Sequence, residues 1–171
     1  ERKGQSMLNA TRVLRAVFLL TLVVLPEAKG QEANEEQQVS EVLDALHTAA
    51  SQANFDRYFE LYAREAIFLG TDATERWTRA EFMGYTKTRF DTGTGWTYEV
   101  LERHVYIASG AKTAWFDERL ENEGLGETRG SGVLLKENGK WKVAQYNLTI
   151  PIPNELSRDV VRQIRALVDG I

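Results

Sequence analysis

The chain has 171 residues, 43% of them hydrophobic and 27% charged, with a formal net charge of −4, which is enough apolar mass for one ordinary globular core. With no cysteine, disulfides, zinc–thiolate sites, a thiol nucleophile and lipid attachment at sulfur are all excluded. Residues 1–30 hold five basic and two acidic side chains, so without them the charge goes from −4 to −7 and leaves no electrostatic reason to bind nucleic acid or an anionic membrane.

From Met7 the sequence reads MLNATRVLRAVFLLTLVVLPEAKGQEA. Arg12 and Arg15 form a basic start, Ala16 to Leu25 an uncharged and mostly apolar run, and Ala28 and Gly30 supply small residues before a cut at Gln31. The run has about half the roughly 20 residues that a membrane-spanning helix needs. The expectation is a cleaved signal peptide and an exported protein, periplasmic or secreted, with no membrane attachment after cleavage. Residues 1–6 precede the expected start methionine.

Residues 31–38 (QEANEEQQ) are polar and read as a short linker or a frayed helix start, with one domain following over 39–171. Val39, Val42, Leu43, Leu46, Ala49, Ala50 and Ala53 recur at helical spacing. Asn54 can cap a second helix whose stripe is Phe55, Tyr58, Phe59 and Tyr62. Ala66 to Leu69 reads as a first strand. Thr78 and Glu81 stand in the capping-box relation, opening a third helix that runs to about Phe90 and stops at DTGTG. Four strand-like runs follow at about 96–108, 111–121, 127–136 and 140–150, joined by short turns that predict antiparallel hairpins. Pro151 and Pro153 end the last strand. A closing helix over 154–170 places Leu156, Val160, Ile164, Leu167 and Val168 on one side. The order α-α-β-α-β-β-β-β-α is that of an α+β domain.

Glu137-Asn138-Gly139 suits a three-residue hairpin with Gly139 left-handed. That register sets Leu135 opposite Trp141, Val133 opposite Val143, Ser131 opposite Gln145 and Arg129 opposite Asn147. A two-residue turn would set Lys136 opposite Trp141 and bring a charge into the core row. The three-residue register therefore predicts one inner face, apolar at one end and polar at the other, as a pocket lining would be.

The helix entered through ATERWTRAEF, the AWFDE and RGSGVLLK strands, and WKVAQYNLTIPIPNEL together resemble the SnoaL-like domain of the NTF2-like superfamily, over about residues 38–155. The resemblance implies a curved sheet wrapped around the helices, a pocket at the open end of the cone, and homodimers packed through sheet faces. Similar chains often carry histidines in the last strand where this one has Gln145 and Asn147. The superfamily supports many activities, so function has to be argued from the site.

Asp117 shares a side of its strand with Trp115. Facing the cone, it would be a carboxylate in an apolar pocket, suited to general acid–base work. Glu118 is the alternative inward carboxylate, because Ser109-Gly110 permits either of two loops. Arg129, Gln145 and Asn147 would orient a carbonyl or carboxylate ligand or, alternatively, form a buried hydrogen-bond network. Tyr58, Tyr62, Trp77 and Trp96 are candidates for the pocket wall, though aromatic stripes on helices are more often plain core. Asp72 reads as a turn residue near the pocket mouth. His47 and His104, with no cysteine, do not make a metal site, and no cofactor is expected. Arg129-Gly130-Ser131-Gly132-Val133 lacks the first glycine of a nucleophile elbow, and neither Gly93-Thr94-Gly95 nor Gly124-Leu125-Gly126 meets the requirements of a dinucleotide loop. Three functions follow as expectations: a binder of a small, largely apolar molecule; an isomerase, dehydratase or cyclase using Asp117; and an assembly module joined through the outward stripe of the closing helix.

Overall fold

A computed structural model describes residues 27–170. The signal segment lies outside the described residues as far as residue 26.

The first helix, α1, spans Glu27–Ser51, so residues 31–38 belong to its early turns. Val39, Leu43, Leu46 and Ala50 are buried along one face. Glu35, one turn earlier on that face, is also buried. Its carboxylate accepts both Lys136 Nζ, at 2.6 Å to each oxygen, and Trp141 Nε1 at 2.8 Å. The polar composition of this stretch conceals a helix whose inward group is a paired carboxylate.

A short helix α2, Phe55–Glu60, is capped by Asn54, whose side chain accepts from Arg57 N at 3.1 Å. It stops after six residues, and Tyr62 opens strand β1, Tyr62–Leu69. A three-residue strand β2, Arg76–Thr78, has no counterpart in the sequence reading. It leads into α3, Arg79–Phe90, through the expected capping box: Thr78 N donates to Glu81 Oε2 at 2.8 Å and Glu81 N to Thr78 Oγ1 at 3.4 Å. Strands β3 (Glu99–Ile107), β4 (Thr113–Asn122), β5 (Gly126–Glu137) and β6 (Lys140–Thr149) follow, then helix α4, Ser157–Asp169.

The strands form one open, curved sheet ordered β2-β1-β6-β5-β4-β3. All neighbours are antiparallel except β1 and β6, which run parallel. The first three helices cover its inner face. The core joins Leu43 and Leu46 of α1 and Phe59 of α2 to Phe116, Leu120, Leu134, Val143 and Tyr146 of the sheet.

The register of the β5–β6 hairpin differs from the one expected. Glu137 pairs with Lys140 and Lys136 with Trp141, so the turn has two residues, Asn138 and Gly139. Both have positive φ, 50° and 79°, as the tight hairpin turn that follows strand twist requires. The objection to this turn was the charge of Lys136, and Glu35 answers it. The lysine is neutralised by that carboxylate and lies 5.3 Å from the Trp141 ring centroid. A second irregularity follows. The pairs Leu134–Val143 and Val133–Gln145 leave Ala144 unpaired in a bulge, which reverses the alternation of β6. Trp141 and Val143 point inward before the bulge, and Tyr146 and Leu148 after it. Gln145 and Asn147 are thereby turned to the outer face.

Candidate functional site

A cavity of about 530 Å³ opens between the inner sheet face, α1, α3 and the segment 95–98. Much of its wall is aromatic. Phe68, Trp77, Phe82, Tyr85 and Trp96 all line it, and their rings lie nearly parallel: Phe68 on Phe82 at 3.9 Å and 11°, Trp77 on Tyr85 at 4.7 Å and 25°, Tyr85 facing Trp96 at 6.2 Å and 7°. The elements explain the arrangement. β2 places Trp77 beside Phe68 in the β1 ladder, and Phe82 and Tyr85 stand three apart on one side of α3. Arg89, over the Trp96 ring at 5.4 Å, and Glu75 bring charge to the same wall.

The polar lining also includes His47 and Tyr146, and both bond to Glu118 behind them. Glu118 is 1% exposed. Its Oε1 meets His47 Nε2 at 2.8 Å and accepts the Tyr146 hydroxyl at 2.8 Å, while Oε2 accepts Arg103 Nε at 2.8 Å. Arg103, opposite Glu118 in the β3–β4 ladder, also donates through one terminal nitrogen to Asp44 Oδ1 at 2.6 Å and Ser40 O at 3.2 Å. Its other terminal nitrogen is buried without a partner among the described residues. Burial pushes the Glu118 carboxyl up, but His47 and Arg103 outweigh it and hold the group below its ordinary value. Tyr146 goes the other way: burial first, then the Glu118 charge, raise its hydroxyl well above the usual tyrosine range.

The acceptor role of Glu118 decides which ring nitrogen of His47 faces it with a hydrogen. An ionised carboxylate only accepts, so the Nε2 that meets Glu118 carries the hydrogen. When the ring is neutral, Nδ1 holds the lone pair, and no hydrogen bond to it forms among the described residues. The arrangement can accept a proton from a molecule in the cavity and stabilise the resulting imidazolium through Glu118.

Space for this cluster comes from the RGSGV segment. A Cβ at Gly130 would overlap the Tyr146 hydroxyl and lie 2.9 Å from Glu118 Oε1, and one at Gly132 would overlap Gln145 O. The two glycines let β5 pass close beneath the tyrosine.

The structure separates the residues that the sequence grouped. Tyr58, Trp77 and Trp96 line the cavity. Tyr62 is buried in the core, its hydroxyl 3.1 Å from that of Tyr58. Asp72 serves its turn, accepting from Thr74 N at 2.8 Å and Thr74 Oγ1 at 2.6 Å. Trp115, Asp117, Arg129, Gln145 and Asn147 do share a face, but it is the outer one. Trp115 is 46% exposed, Asp117, Arg129 and Gln145 are exposed, and Asn147 is half-buried. Asp117 therefore cannot act on a molecule in the cone, and the inward carboxylate is Glu118. The outward ones follow from the β6 bulge and from the β3–β4 turn, where Ala108 N donates to Thr113 O and Ile107 pairs with Ala114.

The sequence reading missed Arg103, Asp44 and the part played by His47. Signals were present for two of the cluster. Ala114, Phe116, Glu118 and Leu120 make an apolar alternation with one acid in it, whereas Trp115, Asp117, Arg119 and Glu121 are polar but for the tryptophan. His47 stands four after Leu43 and three before Ala50, on the apolar stripe itself. Arg103 carries no comparable mark.

The sequence family described as the SnoaL-like domain matches residues 39–153. The chain belongs to this family. No curated protein matches it. Among solved structures, it is similar to an NTF2-like protein of unknown function from Pseudomonas putida, with TM-score 0.61, 13% identity, and 72% of this chain and 91% of that one covered. It is also similar to a ketosteroid isomerase-like protein from Erwinia carotovora atroseptica, with TM-score 0.53, 19% identity and coverage of 70% and 98%. The association domain of C. elegans CaMKII gives TM-score 0.57, 19% identity and coverage of 69% and 97%. At these identities the likeness establishes the NTF2-like fold and leaves activity to the site.

Proposed function

We propose that this SnoaL-like domain binds a small, flat, largely apolar molecule in its cone and moves a proton on it through His47. The observation that carries the reading is the His47–Glu118 pair on the cavity wall, with Nδ1 left unpartnered among the described residues. His47 Nδ1 would take a proton from a C–H or O–H of the bound molecule, Glu118 would hold the imidazolium, and the proton would return at another atom, as in an isomerisation or dehydration. The nearly parallel rings of Trp77, Tyr85 and Trp96 favour a planar frame by stacking. Asp117, exposed on the outer face, has no part in this proposal. Export belongs to it as well, with a mature chain beginning at Gln31.

The test is native mass spectrometry on protein recovered from an exporting host. A mass excess that vanishes on denaturation is expected in the wild type and lost in Tyr85→Ala, with the bare chain starting at residue 31. His47→Gln is expected to keep the excess, while the wild type alone washes deuterium from heavy water into the retained molecule. Protein that is invariably empty overturns the binding reading. Equal exchange in wild type and His47→Gln overturns the proton-transfer step alone.

A further inference from the structure

The family match ends at residue 153, and helix α4 lies beyond it. From Arg158 to Val168 every residue but Val160 is exposed. Val160, Val161, Ile164, Leu167 and Val168, with Leu156 just before the helix, fall within one broad apolar stripe, of which Ile164, Leu167 and Val168 are 52%, 71% and 63% exposed. Among the described residues the side-chain hydrogen bonds of 154–168 are local, Ser157 to Asn154 O and Arg162 to Asp159. An apolar surface lies close to where this segment begins. Leu148, the last inward residue of β6, lines the cavity, and the strand ends one residue later at Thr149. β6 lies between β1 and β5, so the connector to α4 leaves from the cavity rim between the β1–β2 loop and the β4–β5 turn. Residues of both, Gly70 and Glu75 on one side and Leu125 on the other, line the cavity. Two large side chains of the rim are open to solvent, Tyr85 at 50% and Leu125 at 40%, and Ile150 and Ile152 of the connector are exposed beside them.

We infer that α4 is a lid on the cavity of its own chain: it swings about the 150–156 connector and lays its apolar stripe across Tyr85 and Leu125. Reach allows this. Thr149 pairs with Arg129, which lies about 14 Å along β5 from Leu125, whereas residues 150–156 span up to about 23 Å when extended. The 13 residues of α4 add about 20 Å of helix, enough to cross the mouth. Tethering favours this occupant over a second chain. A helix on so short a connector meets its own rim at an effective concentration of the order of millimolar, far above that of other copies in dilute solution. The lid rests on the binding reading in one step, the coupling: a bound apolar molecule completes the surface beneath α4 and so favours the closed position. Closed, α4 keeps water from His47, which lines the same cavity.

The chain has no cysteine, so a pair can be placed without background. Leu125→Cys with Ile164→Cys joins the rim to the middle of the stripe, and Leu125→Cys with Arg162→Cys joins it to the opposite side of the helix. In dilute protein under mild oxidation the first pair is expected to form an intramolecular disulfide about tenfold faster than the second, because the bond needs close, facing Cβ atoms. The first rate should rise further with N-phenyl-1-naphthylamine, a small apolar fluorophore, in the cavity. Ile164→Glu in the otherwise native chain is expected to release that fluorophore about tenfold faster, with unchanged circular dichroism. Equal rates for the two pairs would overturn the lid. So would disulfides formed only between chains, which would give the stripe to a second copy. The absence of any disulfide would overturn it as well, and co-sedimentation with phosphatidylcholine vesicles would then make α4 a membrane-surface element. A fluorophore that never binds counts against the cavity reading alone, since the two disulfide rates decide the lid without it.

Discussion

Asp117 and Glu118 are adjacent carboxylates in one strand, and their surroundings could hardly differ more. Glu118 is sealed behind His47, Arg103 and Tyr146 and accepts three hydrogen bonds, whereas Asp117 stands in solvent on the other side of the same sheet. A charge leaves water only when donors replace the hydration it loses. Here they come from one face of α1, from β3 and from β6, all converging on a single position of β4. The inner face can therefore support chemistry because several elements supply its donors. The outer face has the right residue types and none of that support.

The largest effect that should separate the two faces is removal of the inner carboxylate. Glu118→Ala takes from the Arg103 guanidinium the acceptor of its Nε, leaving it only Asp44 and Ser40 O, and deprives His47 and Tyr146 of their acceptor. A cost of about 3–5 kcal/mol is expected, read from the midpoint of urea unfolding. If that variant does not fold, Glu118→Gln keeps the shape and one acceptor and loses the charge. It also addresses pH. Because its folded carboxyl titrates below the ordinary value of 4.5, Glu118 contributes stability that is complete above that value and is lost as pH falls through the lower folded one. The Glu118→Gln protein should show a shallower loss of stability on acidification. An acid limb as steep as that of the wild type would mean that Glu118 is not the ionised, paired group described.

Next in size is the glycine beneath the cluster. Gly130→Ala places a methyl group against the Tyr146 hydroxyl and Glu118 Oε1, and a side chain in a packed interior has little room to move. A loss of about 1–3 kcal/mol is expected, together with a changed environment for Tyr146 in near-ultraviolet circular dichroism. An unchanged tyrosine signal would show that β5 can move away and that the glycine is not what makes room.

The far end of the hairpin gives a smaller test on the same principle. Trp141→Phe keeps a ring beside Lys136 but removes the indole N–H that donates to Glu35. The expected cost is about 1 kcal/mol, since Lys136 still pairs with the carboxylate. A loss several times larger would assign the anchoring of α1 to the indole and not to the ion pair.

These same places mark where the sequence was legible. The helix stripe at Val39, Leu43, Leu46 and Ala50, the Asn54 cap, the Thr78–Glu81 capping box and the run of four strands were readable because each depends on residues close in sequence. The facing of β6 was not, because it depends on two things that local pattern does not display. The Asn138-Gly139 turn was disfavoured only by the charge of Lys136, and the partner that removes the objection, Glu35, is 101 residues away. The bulge at Ala144 then inverts the alternation in mid-strand, and alanine carries no sign of it. With both missed, Gln145 and Asn147 were placed inside, while the choice between Asp117 and Glu118 stayed open because Ser109-Gly110 permits either of two loops. The fold survives such an error because the sheet order and helix cover do not depend on it. The candidate site does not, because a site is made of the very side chains that a change of parity moves.

That difference sets the smallest prediction. Gln145→Thr and Asn147→Thr replace outer-face amides by a residue well suited to a solvated strand, so each should change stability by no more than about 0.5 kcal/mol and leave the binding proposed for the cavity unchanged. The pair is informative because its expected result is near zero for a stated reason. An inward amide would leave a buried donor or acceptor unpaired when truncated, at about 1–3 kcal/mol, and would alter what the cavity holds. A substantial loss from Gln145→Thr, together with loss of the binding proposed for the cavity, would put β6 back in the register without its bulge.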